Sequence, residues 1–271
     1  MLIEFSKYQG AGNDFIMFDG RNVPLFSPEN HLTAFFRNIC HRNFGIGADG
    51  VIVLFYEPSN GLAMKYYNSD GREGSMCGNG GRCLVAFAND LGLINTKISF
   101  RAIDGIHEAK INDFDGFKYN ISLKMNDVDR LEEISEGIFI NTGSPHLVVF
   151  CQNISQKDVV REGRELRYSQ TFDPAGVNVN FVEMANANNL KVRTYERGVE
   201  NETLACGTGA VAAAVAAKHI NNLQHANFFE VEALGGKLQV SFQTENNTVF
   251  KNVWLTGPAE KVFEGKVWIN D

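Results

Sequence analysis

The chain has 271 residues, 44% of them hydrophobic, and a formal net charge of −7. That length suits about two domains and that composition a sizeable core, while the acidic balance and the lack of any Lys/Arg cluster argue against a nucleic-acid surface. The start, MLIEFSKYQGAGNDF, has no basic region leading into an apolar run, and no apolar stretch is long enough to span a bilayer; the expectation is a soluble, cytoplasmic protein with no membrane partner.

Taken in chain order, the first elements are strands, at 51–56 (VIVLFY) and 63–67 (AMKYY). A glycine-rich turn around Cys77 follows, then a helix on which Leu84, Val85, Phe87, Ala88 and Leu91 recur at helical spacing, with Gly92 placed to stop it. Residues 96–111 read as a hairpin about Asp104-Gly105, and Asp115-Gly116 leads into FKYNISLKM. The polar, acidic stretch 126–136 reads as a linker. Beyond it, Val177, Val179 and Phe181 alternate with Asn178 and Asn180, which sends the asparagines to the face away from the core. A second glycine turn holds Cys206 and opens the run AVAAAVAA, apolar all round and therefore a buried helix, closed by Lys218 and His219. The segment 228–242 is a second hairpin, about Gly235-Gly236.

These landmarks repeat. Gly12 answers Gly143, Gly45 answers Gly176, Tyr67 answers Tyr195, Cys77 answers Cys206, and Asp104-Gly105 answers Gly235-Gly236, always in order and at offsets between 128 and 131 residues. The pattern predicts an α+β protein of two similar tandem domains, 1–128 carrying Cys77 and 129–271 carrying Cys206. Each would be a mostly antiparallel, barrel-like sheet around a central helix, with the last strand free to pack back on the first domain. Parallel βαβ alternation is absent from this reading, which disfavours a Rossmann-type sheet.

Five cysteines, Cys40, Cys77, Cys83, Cys151 and Cys206, with no CxxC or HxxxH spacing, argue against a disulfide framework and against a metal site. Cys40, Cys83 and Cys151 read as small buried hydrophobes. Cys77 and Cys206 stand at helix starts, where unpaired N–H groups and the helix dipole favour a thiolate and can receive a carboxylate or phosphate. One such turn alone reads more readily as a tight bend with a filler cysteine. Two, in duplicated domains packed about a pseudo-twofold, would bring two thiols to opposite faces of one ligand. That arrangement suits inversion of a stereocentre beside a carboxylate: one thiolate removes the α-hydrogen, the other thiol returns a proton, and oriented N–H groups stabilise the charge that develops. A dithiol redox protein using Cys77 and Cys83, and a phosphate-binding module without a GxxxxGK[ST] or GxGxxG pattern, are the rival readings.

The motifs GAGNDF (10–15), NFGIGADG (43–50), NSDG (68–71), MCGNGGRC (76–83), GSPH (143–146), GVNVNF (176–181) and ERGVENETLACGTGA (196–210) resemble those of the diaminopimelate epimerase family along nearly the whole chain. The resemblance implies a homodimeric isomerase, independent of pyridoxal phosphate or any other cofactor, that interconverts LL- and meso-2,6-diaminoheptanedioate, a small diamino dicarboxylate. Cys77 and Cys206 would be its two bases. Gly78-Asn79 and Gly207-Thr208 would hold the carboxylate at the reacting centre. Asn13, Asn68, Asn178 and Arg197 would bind the remainder of the substrate, with Glu196 near an ammonium group and His146 near the thiols. Ser144 stands where the family often has Asn. Proline or hydroxyproline racemases and epimerases of the same fold are the alternative. Read without the resemblance, the asparagines are turn or capping residues, Glu196-Arg197 is a surface ion pair, Asp14 caps a turn, and Arg82 neutralises Glu73 or Asp90.

Overall fold

A computed structural model describes residues 1–269 apart from 22, 24–25, 27–31, 58–60, 75, 222–226 and 247. The chain forms two compact units, Met1–Leu123 with Pro258–Asp271, and Lys124–Gly257. The tail thus belongs with the first unit, and the first crossing falls a few residues before the 128/129 division expected from the repeat.

In the first unit the strands β1 (Leu2–Gly10), β2 (Asn13–Asp19), β3 (Gly50–Glu57), β4 (Gly61–Asn68), β5 (Lys97–Ala102), β6 (Gly105–Phe114) and β7 (Lys118–Lys124) are neighbours in that order. The later part of the long strand β16 (Val249–Trp268) follows β7 and also pairs with β1, from Leu2↔Trp268 to Gln9↔Glu260, which closes an eight-stranded barrel. The second unit repeats the scheme with β8 (Leu131–Ile134), β9 (Gly137–Asn141), β10 (Pro145–Phe150), β11 (Asn178–Met184), β12 (Asn189–Glu196), β14 (Phe228–Ala233), β15 (Gly236–Asn246) and the early part of β16, with the short β13 (Asn201–Thr203) beside β12. Here a bridge between Val128 and Phe250 joins the start of the unit to β16. Residues 126–136 are therefore not a free linker: the acidic side chains of Glu132 and Glu133 lie on β8, and Val128 is fully buried.

Each unit has two layers of helix. Helix α1 (Thr33–Cys40) packs Phe36 and Ile39 on the outer face of β2 and β3, against Ile16, Phe18, Val51 and Val53. Helix α3 (Val159–Arg167) does the same in the second unit, with Val159 against Leu147, Val179 and Phe181. The inner helices are α2 (Gly78–Asp90) and α4 (Gly207–Ile220). The small alanines of α4 let strands approach on every side, and Ala210 through Ala217 are all buried. Helix α2 ends where the sequence places its stop: Gly92 takes a φ of +69°, its N–H donates to the Asn89 carbonyl, and Leu93 N–H reaches Ala88 O at 2.9 Å.

Three expectations need correction. Each helix crosses between parallel neighbours, β2–β3, β4–β5, β10–β11 and β12–β14, so βαβ crossovers are present inside an otherwise antiparallel barrel. The hairpin tips lie one residue earlier than the favoured Asp-Gly reading: Ala102 pairs with Gly105 and Ala233 with Gly236, leaving Ile103-Asp104 and Leu234-Gly235 as the loops. Both units make the same shift, as copies would. Finally, Asn178 and Asn180 do face away from the apolar cluster beneath α3, but not towards water. Asn178 is 4% exposed and Asn180 fully buried, because β11 is covered on both faces and the asparagines point inward, Asn180 against the start of α4.

Candidate active site

Cys77 and Cys206 are the N-cap residues of α2 and α4, both in extended backbone and both half-buried. Their carbonyls accept the first helical bonds, from Gly81 N–H at 2.8 Å and Ala210 N–H at 2.9 Å. The first-turn N–H groups have no intrahelical carbonyl, as at any helix start, and there the dipole adds partial positive charge. Each unit thus presents a thiol at a helix N-terminus.

Around Cys77 the partners come from β2 and from α2 itself. Asn13 Oδ1 lies 3.5 Å from Cys77 Sγ and 3.5 Å from Asn79 Nδ2. Both amide orientations are fixed by ions. The Asn13 amide nitrogen donates to the Asp49 carboxylate, and Asn79 Oδ1 accepts from Arg82 Nη2 at 2.7 Å. Asp49 is in turn bound by Arg42, which also pairs with Asp14, and Lys7 approaches Asp14 at 2.7 Å. Burial opposes the charge on Asp14, yet its bonds from Arg42 and Lys7 prevail and hold its pKa at about 2. Asp14 is therefore an anchor of a charged network rather than a turn cap. Asn68 is exposed at the end of β4, opposite Gly50, which is itself opposite Phe15; this register sets it on the same end of the sheet as Asn13.

Around Cys206 the hydrogen-bonded side chains are neutral. Cys206 Sγ lies 3.4 Å from Thr208 Oγ1, and Thr208 Oγ1 lies 2.9 Å from His146 Nε2. The Asn180 amide nitrogen contacts His146 Nδ1 at 2.9 Å and donates to Leu147 O at 3.4 Å, while its Oδ1 accepts from Thr194 Oγ1 at 3.0 Å. A backbone carbonyl can only accept, so the Asn180 amide has one orientation. His146 Nδ1 is then an acceptor and Nε2 carries the proton. Burial, with the nearby Arg197 charge, pushes His146 down to about 3, so it stays neutral. The histidine donates to the Thr208 hydroxyl oxygen, leaving the hydroxyl proton free to turn to Cys206.

The remaining candidates of the second unit cluster beside this relay. Asn178 Nδ2 donates to Ser144 Oγ at 2.9 Å and to Pro145 O at 3.2 Å, and its Oδ1 accepts from Arg197 N–H at 2.9 Å. Ser144, Asn178 and Arg197 are thereby tied together, with Glu196 half-buried at the end of β12. Arg197 Nη1 donates to Ala175 O at 3.1 Å. The structure adds Asn180, Thr194, Asp49 and Arg42 to the supporting set. Of these, Asn180 carried a signal in its alternation with Asn178, and Asp49 lies within the motif NFGIGADG.

Comparison with known proteins identifies the family. The family model described as diaminopimelate epimerase matches residues 5–128 and 138–262. A relative of that name from Flavobacterium psychrophilum is 50% identical over 258 residues, covering 95% of this chain and 97% of its own. The chain belongs to the diaminopimelate epimerase family. A member from Aquifex aeolicus is 39% identical, with 98% of both chains covered. Among solved structures, a phenazine biosynthesis protein of the PhzF family from Bacillus anthracis matches with a TM-score of 0.76 at 14% identity, covering 99% of this chain and 100% of its own. A hydroxyproline epimerase from Agrobacterium vitis matches at 0.70 and 15%, covering 100% and 93%. These distant likenesses share the fold. Both cysteine turns fall inside the matched segments of the diaminopimelate epimerase family. Among the described residues, no helix is long and apolar enough to cross a membrane.

Proposed function

We propose that this chain is a diaminopimelate epimerase that converts LL-2,6-diaminoheptanedioate to the meso form without a cofactor, using Cys77 and Cys206 as its two bases. The observation that carries the reading is the paired N-cap cysteine: the same residue, at the same helix start, in two copies of one barrel. On this reading one thiolate takes the α-hydrogen, so that a C–H bond breaks and an S–H bond forms. The electron pair is left on the α-carbon and its carboxylate. The second thiol then gives its proton to the opposite face, closing a new C–H bond and becoming the thiolate for the reverse reaction. The carboxylate sits on the first-turn N–H groups at Gly78-Asn79 and Gly207-Thr208, where preorganised donors stabilise the developing charge.

The rest of the substrate needs a cation for its distal carboxylate and acceptors for its ammonium groups. Arg197, Glu196, Asn13, Asn68 and Asn178 take those roles, with Ser144 and His146 in support. Family analogy extends the reading to a homodimer acting in the cytoplasm, which light scattering tests against the 30.1 kDa chain mass.

Incubation in deuterated water separates the substrates. With LL-diaminoheptanedioate, meso product accumulates carrying solvent deuterium at its inverted α-carbon, while proline and hydroxyproline stay unlabelled. Labelling of proline with the diamino acid untouched would transfer the reading to the racemase alternative.

A further inference from the structure

Among the described residues Arg82 is the largest fully buried side chain. Its guanidinium donates to Pro258 O at 3.2 Å, to Gly78 O at 3.4 Å and to Asn79 Oδ1 at 2.7 Å. All three acceptors are neutral. Among the described residues no carboxylate lies within ion-pair distance of it, so the expected partnership with Glu73 or Asp90 is not formed. Asp90 instead accepts from the phenols of Tyr8 and Tyr119. An arginine stays charged even when buried, and a buried charge without a counter-ion is costly.

Two thiols adjoin Arg82 on this helix: Cys83, next to it in the chain, and Cys77 at the N-cap, which shares the Asn13 Oδ1 acceptor with the Asn79 amide that Arg82 holds. Cys83 is fully buried, and burial pushes it up to about 12, so it remains a thiol. Cys77, half-buried at the N-cap of the same helix, is the group left to carry the balancing negative charge. The acidic side chains on the strand side are already paired: Asp14 with Lys7 and Arg42, and Asp49 with Arg42 and the Asn13 amide. Asn13 Oδ1, an acceptor 3.5 Å from Cys77 Sγ, favours the protonated thiol. It does so through a weak S–H bond, which a full charge in a dry interior outweighs.

The second unit shows that the fold itself does not require this cation. Five residues after Cys206, where Arg82 stands five after Cys77, α4 carries the fully buried Val211.

We propose that Arg82 is a positioning residue that holds Cys77 as a thiolate through its buried charge and aims the Asn79 amide at the same site. The inference rests on the reading of Cys77 as one of the two bases. Cys206, with the same helix dipole and Val211 in the place of that cation, is the internal control.

The test uses the full chain. The rate of iodoacetamide alkylation is followed against pH at each cysteine separately, by peptide mass mapping, in the wild type, Arg82→Met and Arg82→Lys. In the wild type Cys77 titrates below an ordinary cysteine thiol. In Arg82→Met the Cys77 midpoint rises by a unit or more and its alkylation at neutral pH slows about tenfold. Arg82→Lys recovers most of that loss, and the Cys206 midpoint stays in place throughout. A wild-type Cys77 that titrates at or above an ordinary thiol overturns the proposal without any variant. So does an unchanged midpoint in Arg82→Met, or an equal rise at both cysteines. Deuterium exchange into the diamino acid by the wild type keeps the two ideas apart: its absence with a low Cys77 midpoint sinks the epimerase reading and leaves Arg82 its role, and its presence with an ordinary midpoint does the reverse.

Discussion

The two thiols stand at equivalent points of duplicated barrels, yet their surroundings are built from different chemistry. Cys77 sits in a charged neighbourhood, with Arg82 beneath it and the Lys7–Asp14–Arg42–Asp49 network behind Asn13. Cys206 sits at the end of a neutral relay running Thr194, Asn180, His146, Thr208. Duplication preserved what the backbone supplies, a helix N-terminus and its N–H groups, and let the side chains diverge. A reaction needing an acid and a base in alternation has use for two thiols that are not copies of each other.

The largest effect tests whether the halves are equal partners. Replacing Cys77 or Cys206 singly with Ala should lower epimerisation about 10³-fold or more, by similar factors, read as meso product per unit time. A variant of either that kept a tenth of the activity would break the pairing.

Next comes the neutral relay. Asn180→Leu removes the bond that sets the His146 tautomer, and should slow alkylation of Cys206 about tenfold while leaving Cys77 unchanged. Equal loss at both sulfurs would show that the relay serves the fold rather than one thiol.

The histidine also gives the second unit an acid weakness. Its folded pKa of about 3 lies below the ordinary 6.5, so the unfolded chain binds a proton that the folded chain does not. Stability conferred by neutral His146 is complete above pH 6.5 and falls as the pH drops towards 3, by up to about 1.4 kcal/mol per unit. Denaturant titrations between pH 7 and 4 should show a shallower decline in His146→Gln than in the wild type.

The smallest effect is steric. A Cβ at Gly209 would lie 2.3 Å from Asn180 Oδ1 and 3.3 Å from Cys206 Cβ. Gly209→Ala should therefore lower stability by about 1–3 kcal/mol and disturb Cys206 without touching Cys77. An unchanged melting temperature would contradict the close packing of Asn180 under α4.

Much of this could be read from the sequence because duplication leaves marks that side-chain chemistry cannot hide. Cys77 and Cys206 keep their offset, and AVAAAVAA allows no solvent-facing side, so the buried helices and their thiols were legible. What failed concerned second neighbours. The alternation in VNVNF assigned Asn178 and Asn180 to one face correctly, but no pattern says whether that face meets water or a helix end. The charge of Arg82 suggested an acidic partner at helical spacing, whereas burial among Gly78 O, Pro258 O and Asn79 depends on a strand more than 170 residues away. The hairpin tips slipped by one residue because Gly105 and Gly236, at φ of +130° and +146°, serve as strand ends rather than loop centres.

The most direct test of the two-thiol account is the isotopic content of both stereoisomers at low conversion, starting from protiated LL-diaminoheptanedioate in deuterated water. On this account the thiolate, once protonated, holds only the hydrogen it took from the substrate, and the other thiol delivers a solvent deuteron, so the meso product should carry solvent deuterium at its inverted α-carbon while the recovered LL substrate remains protiated. Deuterium appearing equally early in both isomers, or a product that retains its original hydrogen, would contradict it.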